Sequence, residues 1–529
     1  MLKRLKMKQR VFGEETEYGC AFIGEDGQAY VPVDHYAILK DAQRHIKFAS
    51  NQARVYFDLG HIEYATPECL GAHDVVLYSK AGEHMLNELA KQCTEYTPAT
   101  NSVKNLVLKG RVRFFRHNAD TAHDPITQPA PNTFGCHENY SFDSRKLSRS
   151  AAPLSLVSQS VREALRLPDS STRNTAALFT IYQHILPFLI TRYAWSGSGN
   201  IVQWAGKSAF QLSQRIPCIN RLSAFSTEDR SLFNWRDEPH AKSVGRLHVV
   251  CGDANMSEYQ TYLKFGVTGI VLGMIEDGYH FDDLNFVDGL QTLRALNQTM
   301  DFQEQHRVIR RPSMSVLDVQ KAYLQSAQQW VRSQQDRELC DIVNCWEETL
   351  VGLADNDPLL ERRLDWAAKK SLIDARAAKP GSTHRTLDQI NLQYHDIDPD
   401  KGLYSFLVKN GMMDTMLCKQ DICVAASRPP EGSRAATRSA VLNRLEYWKR
   451  RGRKVNITHV SWDSIWYKVN KFGIEVMHNV ALPTPYDTSE KTVGEVDKFI
   501  TSKLVFHTDS VVNKVRSSIS ELLSAWRWR

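Results

Sequence analysis

The run Arg54-Val-Tyr-Phe-Asp58 leads into Glu63 and Glu68, so that three carboxylates fall within eleven residues. The run alternates as a strand does, with Val55 and Phe57 on one face and Tyr56 and Asp58 on the other. A second acid-bearing strand precedes it. In the stretch from Gln9 to Ala21, Glu15 and Glu17 flank Thr16 and share one face. Carboxylates on the inner face of a sheet are costly unless a cation or an arginine neutralises them. The chain is therefore constrained to one of two folds: sheet edges that leave these acids in water, or a sheet that gathers them around cations.

The chain has 529 residues, more than one hydrophobic core holds. A large unit over 1–425 and a small one over 426–529 are expected, the break being the turn-rich Pro429-Pro430-Glu-Gly-Ser-Arg434. Net charge is +6, a mild bias that suits an acidic partner and is too weak for a nucleic-acid signature. Ten cysteines are scattered with no Cys-x-x-Cys pair, which excludes a zinc ribbon or redox motif and fits reduced thiols in the cytoplasm. The basic start meets Gln9-Arg10 and Glu14-Glu15 instead of a long apolar run, so neither a signal peptide nor a membrane span is expected.

Further along, Val75 to Leu89 repeats at helical spacing and Lys109–Arg116 reads as a strand. Thr121 to Thr133 holds three prolines and reads as a loop. His137-Glu-Asn139 offers imidazole, carboxylate and amide in a row. Ser144 to Asn174 is a polar insertion, and Ala176 to Ala194 an apolar helix. Gly206-Lys-Ser208 lacks the upstream glycine of a phosphate loop. Arg236, in the string Asn234–His240, can clamp phosphate oxygens or pair with Asp237 or Glu238. Asn255-Met-Ser-Glu258 matches a capping box for a helix to about Ile275, with Lys264 at that helix's surface. Residues 315–375 read as three helices, the second burying Cys340 and Cys345. Strands at Ile457–Val469 and Phe472–Val480 and a helix from about Glu490 follow, and the basic tail ends Trp526-Arg-Trp-Arg529.

Taken in order, these segments resemble the Pup–protein ligase and Pup deamidase/depupylase family. The resemblance rests on Glu14-Glu-Thr-Glu-Tyr-Gly19, Asn51–Asp58, Glu63–Cys69, Gly135–Tyr140, Leu212-Ser-Gln-Arg215, Arg236–Ala241, Arg246-Leu-His248, Gly252–Glu258, Asp365-Trp366, Gln393–Asp396, Lys401–Tyr404 and Trp462-Asp-Ser464. It implies an α+β fold with a glutamine-synthetase-like curved antiparallel sheet backed by helices, and a small C-terminal α/β domain. It implies ATP and Mg2+ as cofactors. The expected partners are an acidic, disordered Pup-like modifier, lysine-bearing substrate proteins and, functionally, the bacterial proteasome, with no nucleic acid or membrane.

By position, the resemblance makes Glu15, Glu17 and Glu63 metal ligands. Tyr56, His137, Asn139, Arg215 and Arg236 belong to the nucleotide site, and Asp58 is the catalytic aspartate. The expected reaction is ATP-dependent activation of the modifier's C-terminal glutamate as an acyl phosphate, followed by an isopeptide bond to lysine. The alternative is hydrolysis of the modifier's C-terminal glutamine amide or of that isopeptide bond. Four residues between Asp58 and Glu63, together with Gln211–Arg215, lean towards the hydrolase branch. The short Gly24–Ser50 segment, Gly135-Cys136 and Asn255–Glu258 lean towards the ligase branch.

Overall fold

The computed structural model describes residues 10–30, 48–58, 60–96, 107–119, 133–150, 163, 173–204, 206–238, 240–241, 244–471 and 473–502. The expected loop at 121–133, most of the 144–174 insertion and the basic tail therefore lie outside, or almost wholly outside, the described residues. The larger compact unit comprises 1–439 with 483–487, and the smaller comprises 440–482 with 488–529; the division falls inside the helix Arg434–Arg450.

In the larger unit the strands are β1 (Phe12–Gly24), β2 (Ala29–Tyr30), β3 (Arg54–Asp58), β4 (His61–Ala65), β5 (Glu95–Tyr96), β6 (Leu108–Phe115), β7 (Cys136–Phe142), β8 (Asn200–Trp204), β9 (Lys207–Gln211), β10 (Arg221–Ala224), β11 (Ser231–Asn234) and β12 (Gly245–Val249). All but β8 and β9, which form a separate hairpin, build one ten-stranded sheet in the order β10-β11-β12-β7-β1-β4-β3, with β6 and β2 paired to the far half of β1. The sheet is antiparallel as expected, except that β10 and β11 run parallel. β1 is its axis. Its first half pairs with β7 and β4, and its second half with β6.

The alternation of β1 sorts its side chains: Glu14, Thr16 and Tyr18 are buried, and Glu15 and Glu17 lie half-buried on the other face. Behind the buried face stands the helix Glu258–Glu276, of which every residue but the last is buried. A helix apolar on all sides belongs at the centre of a large core. Here it packs among Arg173–Thr191, Val316–Gln334 and Arg337–Asp355. A second cluster, with Phe22, Ile62, Tyr64, Val112, Phe114 and Tyr394, lies under the far half of β1.

Three expectations change here. The central helix is capped by Ser257, whose hydroxyl accepts from Gln260 N; Asn255 instead donates to Ser196 O and Asp365. Lys264 is wholly buried, not at the surface: its ammonium donates to Asp253 O at 2.9 Å and lies 3.7 Å from Glu14. A buried carboxylate opposite that helix position needs a cation, and the periodicity of the helix alone did not reveal it. Cys340 is exposed and Cys345 half-buried, because they lie five residues apart, off the apolar stripe of their helix.

The smaller unit is a three-stranded antiparallel sheet of β13 (Val455–Val460), β14 (Ser464–Lys471) and β15 (Ile474–Ala481), with the helix Ser489–Thr501. Its core joins Val441, Leu445, Ile465, Tyr467, Val469, Val480, Val496 and Ile500. Arg444 closes it with two bonds to Asp497, at 2.6 and 2.7 Å.

Candidate active site

Five strands each contribute an i, i+2 pair to the open face of the sheet. Register fixes which pairs meet. Glu17 lies opposite Glu63, Tyr56 opposite Glu63, and Asp58 opposite His61. On the other side, Glu15 lies opposite His137, and His248 opposite Asn139. The face thus carries Tyr56 and Asp58, His61 and Glu63, Glu15 and Glu17, His137 and Asn139, then Arg246 and His248, in strand order.

Two groups of donor atoms result, each with its atoms within 4.8 Å of one another: Glu17, Asp58 and Glu63; and Glu15, His137 and His248. In the second, Glu15 Oε2 lies 3.4 Å from His137 Nδ1 and 3.7 Å from His248 Nε2, while Asn139 Nδ2 donates to Glu15 Oε1 at 3.1 Å. In the first, His61 Nδ1 lies 3.0 Å from Glu17 Oε2, and the Tyr56 hydroxyl donates to Glu63. Gly135 leads into β7 between the groups. A Cβ there would lie 2.8 Å from the His137 ring and 3.0 Å from Glu17, so a larger residue would displace the ends of these side chains.

The electrostatics divide along the same line. Burial raises the Glu15 carboxyl, but the hydrogen bonds of His137 and His248 outweigh it and hold Glu15 well below the usual carboxylate range. Burial likewise opposes, and His61 and the Gly135 backbone outweigh, at Glu17, which is lowered. Glu63 is pushed well above its ordinary value, first by burial and then by Glu15, with Glu17 and Asp58 adding to it. Asp58 is raised by burial and by Glu17. Burial lowers His248 to about 4, so it is a neutral imidazole. No lysine or arginine among the described residues forms an ion pair with Glu15, Glu17, Asp58 or Glu63. Crowded carboxylates beside imidazoles, with Glu63 held above its ordinary pKa by burial and its neighbours, are a donor set that fits divalent cations.

The sequence-based candidates separate into three sets. Glu15, Glu17, Tyr56, Asp58, Glu63, His137 and Asn139 are brought together. Arg236 sits just past β11, exposed, with its Nε on Glu238 at 2.9 Å. Arg215 is buried, and its guanidinium is spent on Thr133 Oγ1, Phe134 O and Val250 O at 2.9, 3.2 and 3.0 Å. The turn of 213–215 that carries it is held around buried Asp253, which accepts from Ser213 Oγ and from Gln214 and Arg215 N.

Glu68, third acid of the 58–68 stretch, leaves the group altogether. It is buried between Arg434 and Arg438, 2.7 and 3.0 Å away. Burial alone would raise it, but the two guanidiniums bring it down to about 2.

His248, Arg246 and Arg54 also belong to the face, although the motifs that contain them gave them no site role. Arg246 Nη1 donates to Asn139 Oδ1 at 3.1 Å, and the exposed Arg54 guanidinium stands 4.8 Å from the Tyr56 ring centroid. The signal available was the same i, i+2 alternation as in Glu15-x-Glu17: Arg246-x-His248 repeats it, and Arg54 precedes Tyr56 by two.

Comparison with known proteins adds an independent line. Residues 33–466 match the family model described as Pup-ligase protein. The chain is similar to a depupylase of Acidothermus cellulolyticus, 32% identical over 459 residues, 84% of this chain and 80% of that one. It is similar to a Pup–protein ligase of Kineococcus radiotolerans, 32% identical over 468 residues, 86% of this chain and 93% of that one. Among solved structures it resembles the complex of the prokaryotic ubiquitin-like protein Pup with its ligase PafA, at TM-score 0.74 and 25% identity, covering 95% of both chains. It also resembles the Pup ligase PafA in complex with ADP, at TM-score 0.67 and 26% identity, covering 89% of this chain and 95% of that one.

Proposed function

The chain belongs to the Pup-ligase family, and from that premise we propose an ATP-dependent ligase that joins the C-terminal glutamate of a Pup-like modifier to a substrate lysine. The observation that carries the reading is the open face itself: four carboxylates gathered with imidazoles and no resident ammonium or guanidinium partner among the described residues. Glu15, Glu17 and Glu63, with His137 and His248, would hold Mg2+. Bound there, the cations would neutralise phosphate charge and polarise the phosphoryl group.

The chain's own residues do the rest. Arg246, held on Asn139, and exposed Arg54 supply cationic donors at the two ends of the acidic row, where phosphate oxygens need them. Arg236 is exposed and able to exchange Glu238 for a phosphate oxygen. Tyr56 stays a phenol, because burial and the neighbouring Glu15 raise its pKa, and so remains a donor that fixes Glu63. Transfer of the γ-phosphoryl group to the modifier's glutamate gives an acyl phosphate and ADP. The lysine nitrogen then attacks the acyl carbon and phosphate leaves. The lysine arrives as an ammonium and must lose a proton to attack. Asp58, at the exposed end of β3 and raised towards the range of a useful base, takes it.

The partners follow from the same reading: an acidic modifier that the +6 chain attracts, lysine-bearing acceptors, and the proteasome that receives conjugates in this family's pathway, in the cytoplasm. Among the described residues no helix is long and apolar enough to cross a membrane. The test is ADP release with purified components. It is expected only when ATP, a modifier ending in glutamate and an acceptor lysine are all present. Conjugates formed without ATP would refute the reading.

One observation favours a second reading, a depupylase or deamidase. β3 and β4 pair Asp58 with His61, so the hairpin closes through two residues and leaves four between Asp58 and Glu63, the spacing of the hydrolase branch. In that reading Asp58 is the nucleophile or activates water. Release of free modifier from a preformed conjugate, without ADP formation, would favour it over ligation.

A further inference from the structure

Arg215 is the one arginine of the ordered motif set whose guanidinium faces inward onto main-chain and hydroxyl acceptors. Its Nη1 donates to Thr133 Oγ1 and Phe134 O, and its Nη2 to Val250 O. Asn118 Nδ2 makes a second bond to Phe134 O at 2.8 Å. The residue so clamped is the one whose ring meets His61, with centroids 4.6 Å apart at 45°. His61 Nδ1 in turn lies 3.0 Å from Glu17 Oε2. The next residue, Gly135, accepts from Glu17 N at 2.9 Å and passes between Glu17 and His137.

We propose that Arg215 is a positioning residue for the cation site: it fixes Phe134, Phe134 fixes the His61 ring, and His61 fixes the carboxylate of Glu17. On this proposal Arg215 acts through Phe134 and not by direct contact with nucleotide phosphate. The geometry explains why the position calls for arginine. Three acceptors on two separate segments, 133–134 and 250, are reached from one planar fork, which a lysine ammonium on a flexible stem cannot match. Groups that orient a metal ligand in this way are worth a tenfold to hundredfold change in metal affinity. The proposal rests on the reading of Glu17 as a cation ligand, and the experiment keeps the two apart.

The measurement is Mn2+ binding by electron paramagnetic resonance to nucleotide-free, full-length protein, with ADP binding and melting temperature recorded in parallel. Glu17→Gln tests the underlying reading alone: Mn2+ affinity equal to that of the unaltered protein would sink it whatever Arg215 does. Arg215→Met and Phe134→Ala are each expected to weaken Mn2+ binding by about 10- to 100-fold. The double variant is expected to be no weaker than the weaker single one, because both cut the same chain of contacts. Arg215→Lys is expected to give no rescue. The proposal is overturned if Arg215→Met leaves Mn2+ affinity intact and weakens ADP, if the two substitutions add, or if lysine restores binding. Should Arg215→Met fail to fold, Phe134→Leu, which keeps an apolar side chain and removes the ring, carries the test: unchanged Mn2+ affinity overturns it.

Discussion

β1 presents acids to both of its faces, and the two faces treat them in opposite ways. Towards the helices, Glu14 meets Arg116 at 2.7 Å and Lys264 at 3.7 Å. Beside it on β7, Glu138 meets Arg192 through two bonds at 2.6 and 2.8 Å. The helix-side acids of β1 and β7 therefore each have a permanent cation. Towards the open face, one residue along each strand, Glu15, Glu17 and Glu63 have imidazoles, an amide and a phenol, and one another. A sequence that buries acids without partners pays in stability unless a ligand brings the missing charge. The difference separates charge that holds the fold from charge kept available for cations.

The largest expected effect is on the helix side. Arg192→Met leaves Glu138 buried against an apolar side chain, and truncating one partner of a buried pair costs about 3–5 kcal/mol. Denaturant melts should show it, with no change in Asp58 chemistry in whatever fraction folds. A loss under about 1 kcal/mol would place the pair among those of little net worth and would blur the contrast between the faces.

Asp58→Asn is the matching change on the open face. Turnover should fall by a factor on the order of 10²–10⁴, the usual contribution of a positioned general base. Melting temperature and ADP affinity should hold. Unchanged turnover with intact nucleotide binding would remove Asp58 from its role.

The pH dependence of stability should show two limbs of opposite sign. Glu68 is lowered to about 2 and Glu14 is lowered, both by paired cations, so the stability they contribute is present above the ordinary carboxylate range and lost as pH falls through those lowered values. Glu63 and Asp58 are raised, so the cation-free protein is stabilised below the ordinary carboxylate range and loses that contribution as pH rises through their raised values. Mg2+ at about 100 times its dissociation constant should add about 2.7 kcal/mol above that range and cancel the second limb only. Melting temperature against pH, with and without Mg2+, checks both. Equal flattening of the two limbs would mean the cation acts on the whole molecule instead of the open face.

Much of the open face was legible in the chain because strands sort residues by twos. Glu15-x-Glu17, Tyr56-x-Asp58 and His137-x-Asn139 each stand on one face whatever the tertiary fold. The long helices were legible too, since apolar periodicity fixes them locally. What sequence could not provide was the cross-strand and through-core company each acid keeps. Glu68 lies five residues from Glu63 in the same acidic stretch, yet Arg434 and Arg438, over three hundred residues away, claim it. Lys264 reads as a surface lysine until Glu14 appears across the core. Nothing local to Arg215 announces that Thr133 and Val250 accept from its fork. These are non-local pairings between charges, and composition and period carry no record of them.

The smallest expected effect is the most discriminating between the faces. Glu17 and Glu63 lie directly opposite each other on paired strands, and like charges so placed are destabilising by about 0.2–1 kcal/mol. Glu63→Gln removes one of them while keeping an acceptor for Tyr56. In cation-free protein near neutral pH it should raise stability by about that amount, the opposite sign from any acid substituted on the helix side. In saturating Mg2+ the order should invert, because the variant has lost a ligand and gains less from the cation. Differential scanning calorimetry of the two proteins, with and without Mg2+, gives all four values. A loss of stability in the cation-free variant would mean that Glu63 is already neutralised by the protein, and that the open face, like the other, is built to hold the fold.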